Sequence, residues 1–216
     1  ALTAGQFELH YQPQVDARSG RIIGAEALLR WEHPTLGRQS PAQFIRVLED
    51  SGQIVAVGHW VLAEACRACA ALLHKQMVDP RRFCMAVNIS ARQFAQSGFV
   101  DSIFNTLTEH GIPPGMLKLE ITESMAMDTT QETLDTLVRL REMGVHLTID
   151  DFGTGYSSLS YLRKLPIDGL KIDRSFVAGL EQEPGDAAIT RAIISLANSL
   201  NLAVTAEGIE EPYQLN

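Results

Sequence analysis

Cysteine is scarce in this 216-residue chain. The three present, Cys66, Cys69 and Cys84, form neither an even set nor a framework of spacings. A disulfide-stapled secreted scaffold is therefore excluded, and the usage points to a reducing cytosol, with attachment to a membrane through other parts of a longer protein left open. Cys66 and Cys69 make a lone Cys-x-x-Cys inside a helical run. With no second ligand pair, both are expected as core-facing thiols rather than as a zinc or redox pair. Positive charge is also short: 18 Lys and Arg against 26 Asp and Glu leave −8 at pH 7. Broad binding to nucleic acid or to an anionic membrane needs a basic face, so neither is expected, and an anionic ligand would have to be met by local cations or metal. No apolar run reaches the ~18 residues of a membrane span and no signal peptide is visible, so direct membrane insertion is not expected. No His-Glu-x-x-His occurs, and the six histidines, lacking any ligand spacing, read as ordinary surface or core residues. What remains, 45% hydrophobic and 20% charged, describes one globular domain over residues 1–216 with ample core. The first residue is Ala1 rather than Met, which reads as a domain cut from a longer protein.

Along the chain, strand and helix patterns alternate. Residues 7–15 alternate like a strand, with Pro13 marking an edge or an irregularity. A turn over residues 16–20 leads to a second strand over 21–30, and so short a connection joins antiparallel neighbours. Ser40 and Pro41 signal the start of a helix over 41–50, and a longer amphipathic helix covers 55–75. Strands follow at 85–90, 117–122, 147–150, 169–173 and 203–207, separated by helices at 99–110, 130–143, 157–165, 174–180 and 187–200. Repeated strand–helix units give a parallel sheet covered by helices. About seven strands in a chain of this length favour a closed barrel over an open doubly wound sheet, and no Gly-x-Gly-x-x-Gly follows the early strands.

The most informative stretch is His146-Leu-Thr-Ile-Asp150-Asp151-Phe-Gly-Thr-Gly-Tyr-Ser-Ser158. Neighbouring side chains of a strand point to opposite faces. Asp150 and Asp151 can therefore serve one site only where the strand is ending, and Phe152-Gly153-Thr154-Gly155 supplies the expected break. Taken alone, the pair could equally be a solvated turn capping the next helix. Polar residues recur, however, in or at the ends of successive strands: Glu26, Asn88, Glu120, Asp150 with Asp151, Lys171 and Glu207. In a barrel such ends share one mouth. Parallel strands are buried on both faces, so five carboxylates against one lysine leave an uncompensated negative charge there. Divalent cations would neutralise it, and an all-oxygen donor set suits Mg²⁺ or Mn²⁺ better than zinc.

Glu26-Ala27-Leu28 followed by Leu29-Arg30-Trp31 resembles the signature of the EAL-domain family, bacterial phosphodiesterases that open cyclic di-GMP to linear pGpG. Further motifs of that family stand in order: Tyr11-Gln12-Pro13, Val87-Asn88-Ile89-Ser90, Leu119-Glu120-Ile121-Thr122-Glu123-Ser124, Asp150-Asp151-Phe152-Gly153-Thr154-Gly155-Tyr156-Ser157-Ser158, Lys171-Ile172-Asp173 and Ala206-Glu207-Gly208-Ile209-Glu210. The resemblance implies an α/β fold, a TIM-like barrel with an antiparallel first strand. The family's closing segment, with its eighth strand, is not in the sequence given, so an incomplete barrel is expected. Residue by residue, Glu26, Asn88, Glu120 and Asp150 are similar to the ligands of one Mg²⁺ or Mn²⁺. Asp150 would bridge to a second ion that Asp151 helps to hold. Lys171 and Glu207 match residues that handle the attacking water, with Glu207 as base. Gln12, Leu28, Arg30 and Asp173 match contacts to the dinucleotide. Glu123 matches an anchor of the loop that follows the paired aspartates, although it could instead cap the next helix. A homodimer is expected, with sensory or GGDEF-type domains elsewhere in the protein; Ca²⁺, larger and less polarising than Mg²⁺, is expected to inhibit cleavage.

Two functional classes follow: an active cyclic di-GMP phosphodiesterase, or a module that binds cyclic di-GMP without cleaving it. A receptor can lose metal carboxylates without losing its role. Here Glu26, Asn88, Glu120, Asp150, Asp151, Lys171 and Glu207 are all present, which favours the enzyme.

Overall fold

In the computed structural model, residues 1–128, 130–155, 159–181 and 183–215 are described. They form two compact units, Ala1–Leu119 with Met143–Val145, and Glu120–Glu142 with His146–Asn216.

The first unit starts from a long hairpin, β1 (Phe7–Val15) and β2 (Ile22–His33), paired antiparallel. Asp16 closes its turn: Oδ1 accepts the Ser19 backbone N–H at 2.7 Å and its hydroxyl at 2.6 Å. β2 outruns the expected strand by three residues, because a short β3 (Gly37–Gln39) folds back onto its end. Three residues carry too little periodicity to be read from sequence. The other edge of β2 pairs in parallel with β4 (Cys84–Ile89), setting Glu26 opposite Ala86.

Helices α1 (Pro41–Asp50), α2 (Ile54–His74), α3 (Ala91–Phe94) and α4 (Phe99–His110) complete this unit, with the leading residues of β5 (Leu117–Thr122). Ser40 precedes α1 as expected, yet its side chain makes no capping bond; Pro41 at the first turn carries the signal instead. The unexpected α3 is opened by a capping box between Ser90 and Gln93. By length and composition α2 could cross a membrane, which differs from the sequence expectation. It is a core helix, with Val57, Leu62, Ala65, Cys66 and Cys69 all buried. The two thiols are core-facing as expected, and burial pushes Cys66 up to about 12 and Cys69 to about 11, which keeps both protonated and inert.

The second unit runs through α5 (Glu123–Ala126), α6 (Gln131–Met143, as far as Glu142), β6 (His146–Phe152), α7 (Leu159–Leu162), β7 (Gly169–Ile172), α8 (Arg174–Ala178), α9 (Pro184–Ser199) and β8 (Ala203–Ala206). β6, β7 and β8 pair in parallel, with Lys171 opposite Thr205. Leu147 and Ile149 of β6, with Leu170 and Ile172 of β7, have no exposed surface, as strands covered on both faces require. The helix expected over residues 157–165 is shorter, and its start, with Tyr156 to Ser158 of the motif, lies outside the described residues.

Gly24 limits how β2 and β4 can approach. A Cβ there would stand 2.6 Å from the Cys84 backbone oxygen, two residues before Glu26. Gly24→Ala is expected to cost about 1–3 kcal/mol, as overpacking against backbone does. Urea unfolding of the two proteins measures it; equal midpoints would mean that the strands part without cost.

Candidate metal centre

Strand alternation accounts for the site's side chains. In β7 the apolar Leu170 and Ile172 share one face and Lys171 takes the other. In β5, Glu120 alternates with Leu119 and Ile121 in the same way. Lys171 is 1% exposed and its ammonium meets three carboxylates: Glu207 at 2.6 Å, Glu120 at 2.7 Å and Asp150 at 3.1 Å. The Glu120 side chain has no exposed surface. One cation among three anions leaves a net negative charge in a poorly solvated place, which is the condition for binding a further cation.

Asp151 joins this set by an irregular backbone. The sequence pattern assigned the loss of pleat to Gly153 and its neighbours. The register instead shifts between Ile149 and Phe152, inside β6, and Asp151 itself adopts φ +53°. An aspartate tolerates that left-handed geometry better than most residues, and the bulge brings adjacent side chains to one side. Carboxylate oxygens of Asp150, Asp151 and Glu207 accordingly lie within 4.8 Å of one another. Three hard oxygen donors at this spacing fit Mg²⁺ or Mn²⁺ by their chemistry, with no sulfur or imidazole among them.

The remaining candidates divide between the units. In the first, Asn88 Nδ2 donates to Glu26 Oε1 at 2.8 Å. Gln12 stands opposite Glu26 across the hairpin, and Leu28 and Arg30 follow Glu26 on the same face of β2. Arg30 donates to the Leu29 carbonyl at 3.0 Å. In the second unit, Glu123 is buried, and its Oε2 accepts the Gly153 N–H at 3.0 Å. A Cβ at Gly155 would come within 2.6 Å of Glu123 Oε1, so glycine is needed there for the loop to lie against the carboxylate. The side chain that caps α5 belongs to Thr122, which accepts from Met125 N.

Asp173 has a part that the motif did not suggest. It caps α8, accepting from the Ser175 backbone at 2.9 Å and from the Ser175 hydroxyl. Asp-x-Ser ahead of a helix carries that signal in the sequence. Burial raises the Asp173 carboxyl, but the bonds from Ser175 and one from Asp151 outweigh it and hold the group below the ordinary carboxylate range. Asp151 moves oppositely. Burial, then the charges of Asp150, Asp173 and Glu207, push it up to about 6 against the lowering effect of Lys171.

A raised carboxyl pKa favours the folded state only while the proton is bound. The contribution of Asp151 is complete below the ordinary value of 3.8 and is lost as pH rises through about 6. In metal-free protein the melting temperature should fall between about pH 4 and 6 and level off above, and Asp151→Asn should flatten that fall. Thermal melts in chelator check it; parallel pH profiles for the two proteins would contradict the crowding of Asp151.

Comparison with known proteins identifies the family. The family described as EAL domain matches residues 1–216. MucR of Pseudomonas aeruginosa, named a bifunctional diguanylate cyclase/cyclic di-GMP phosphodiesterase, is 50% identical over 214 residues, 99% of this chain and 31% of its own. NbdA of the same organism, named a cyclic di-GMP phosphodiesterase, is 44% identical over 215 residues, 100% of this chain and 27% of its own. The chain thus spans under a third of the length of these curated relatives. A solved structure of the PaMucR phosphodiesterase in complex with c-di-GMP is similar at TM-score 0.95 and 49% identity, covering 100% of this chain and 86% of that one. That likeness and the antiparallel β1–β2 pair put the fold among the α/β TIM-like barrels with an antiparallel first strand. The chain belongs to the EAL domain family.

Proposed function

We infer that this chain is a cyclic di-GMP phosphodiesterase that yields linear pGpG. The observation that carries the reading is the buried Lys171 ammonium held by Glu120, Asp150 and Glu207, with Asp151 beside them. The family and the names of its relatives supply the substrate. Asp150, Asp151 and Glu207 would hold Mg²⁺ or Mn²⁺, and the family pattern adds Glu26, Asn88 and Glu120; two such ions polarise a phosphodiester and lower the pKa of water.

The chain's own groups do the rest. Hydrolysis adds water across one P–O bond: the hydroxyl goes to phosphorus, and the leaving ribose oxygen takes a proton. Glu207 is placed to accept the proton of that water, since its carboxylate already meets Lys171 at 2.6 Å and is only half-buried. Lys171 holds the Glu207 carboxylate at 2.6 Å, and its charge would offset the anion that develops at phosphorus. Arg30 is the guanidinium on β2 suited to a phosphate oxygen, while Gln12, Leu28 and Asp173 would line the nucleotide. Glu123 would steady the backbone after Asp151 through Gly153. The reading includes operation in the cytosol, as a homodimer, within a longer protein carrying sensory or GGDEF-type domains.

The decisive experiment is incubation with cyclic di-GMP and Mg²⁺ or Mn²⁺, with products resolved by chromatography. Appearance of pGpG supports the enzyme; tight binding with no product would make the chain a receptor. Asp150→Asn is expected to slow turnover by roughly 100- to 1000-fold at saturating metal, the effect of losing several kcal/mol of charge stabilisation. Near-normal turnover would remove Asp150 from the metal set. Ca²⁺ takes more ligands at longer distances and polarises water less. It should therefore support binding of cyclic di-GMP, followed by calorimetry, while the product peak disappears; equal rates in Ca²⁺ and Mg²⁺ would make the metals structural.

A further inference from the structure

Three of the acidic side chains proposed to hold the ions, Asp150, Asp151 and Glu207, sit at the ends of β6 and β8, where the backbone stays in place only if something fixes it. Both are in contact with one short helix, α8 (Arg174–Ala178). On the β6 side, Asp173, which caps α8, lies close enough to Asp151 for their charges to be felt. Phe176 of α8, with Ile193 of α9, packs against the Gly153 backbone; a Cβ on Gly153 would stand 3.1 Å from Phe176 Cε2 and 3.1 Å from Ile193 Cδ1. Gly153 adopts φ +102°, so the loop can lie this close only as glycine, and its N–H also donates to Glu123.

On the β8 side, the aliphatic stem of Arg174 lies over Gly208, at φ +71°, so closely that a Cβ would collide with Arg174 Cγ. The guanidinium of Arg174 reaches Glu210 at 2.8 Å. Gln214 extends the attachment: its Oε1 accepts from the Glu210 and Glu211 backbones at 2.6 and 2.8 Å, and its Nε2 donates to the Val177 carbonyl at 3.2 Å. The Arg174–Glu210 pair is solvent-exposed at both ends and contributes little by itself. The packing of the stem over the residue that follows Glu207 is the stronger constraint.

We propose that α8 is a clamp setting the spacing of Asp151 and Glu207, with Phe176 and Arg174 as positioning residues for the metal-binding carboxylates. Phe176 fixes the backbone two residues after Asp151, and Arg174 fixes the residue after Glu207. Displacing α8 would spread the 4.8 Å cluster without removing any ligand. The proposal rests on the metal centre described above and assigns its geometry to residues that touch neither metal nor substrate.

The test is binding of Mn²⁺ to the full chain at neutral pH, followed by loss of the free-ion paramagnetic resonance signal, with no cyclic di-GMP present. Phe176→Ala and Arg174→Ala should weaken Mn²⁺ binding by roughly 10-fold, the usual effect of losing a group that orients a ligand. Phe176→Leu, which refills the space, and Arg174→Met, which keeps the stem without the charge, should bind within about two-fold of wild type. Leu107→Ala, a buried truncation in the first unit, controls for stability alone and should leave Mn²⁺ binding unchanged. Titrations of both alanine variants that superimpose on wild type, with only the melting temperature lowered, would overturn the clamp. Equal loss in Arg174→Met and Arg174→Ala would overturn the part assigned to the stem. Because no substrate is present, failure of the wild type to cleave cyclic di-GMP would sink the enzymatic reading and leave this one standing.

Discussion

The Lys171 ammonium, buried beside Glu120, Asp150 and Glu207, is the interaction on which the candidate centre depends. An isolated ammonium in that position would lose its hydration with little return, and three isolated carboxylates would lose more. Each group is tolerable only because the others are there. The set is nevertheless unbalanced, with one positive charge facing three negative ones. Apolar residues of equal size would pack there at no electrostatic cost, as replacement of buried ion pairs generally shows. Retention of an over-acidic cluster in the strand interior is therefore explained by what it can bind. On the proposed function the same excess would reconcile an acidic protein with a doubly anionic ligand, because bound metal would reverse the local sign of charge while the surface keeps its own.

A second constraint is backbone geometry next to that charge. A regular strand would have sent Asp150 and Asp151 to opposite faces. The irregularity in β6 and the left-handed conformation of Asp151 bring both carboxylates to the Glu207 side. Such a conformation is held by its surroundings. Glu123 accepts from the Gly153 N–H, and Phe176 and Ile193 pack against the same residue. Gly153, Gly155 and Gly208 have in common a neighbouring side chain where a Cβ would be, which is a packing reason for glycine distinct from turn formation. The electrostatic cluster and the glycine contacts are thus one arrangement: the first favours a cation, and the second keeps its donors within reach.

Much of this was legible in the residues. Strand and helix positions followed from periodicity, with the β1–β2 hairpin, α1, α4 and β5 falling within three residues of expectation at either end. The recurrence of polar residues at strand positions included Glu120, Asp150, Lys171 and Glu207, which the fold brings together, and the motifs pointed to the family. What was missed has a common character. β3 and α3 span three and four residues, too few to show a period, and exist through pairing with β2 and through a Ser90–Gln93 box. The membrane-like composition of α2 means little until its burial is known.

By itself the sequence determined which chemistry is available: hard oxygen donors, one lysine among them, and glycines at the breaks. It determined the order of the elements as well, because local periodicity and caps act over a few residues. Only the tertiary structure decided that Asp151 turns left-handed within β6, that Asp151 is crowded up to about 6 while Asp173 is held low, and that α8 touches the segments after both Asp151 and Glu207. Those outcomes depend on contacts such as Lys171 with Glu120, 51 residues apart in the chain, or Arg174 with Glu210, 36 apart. A conformation or a charge state that such neighbours impose does not exist until the chain has brought them together.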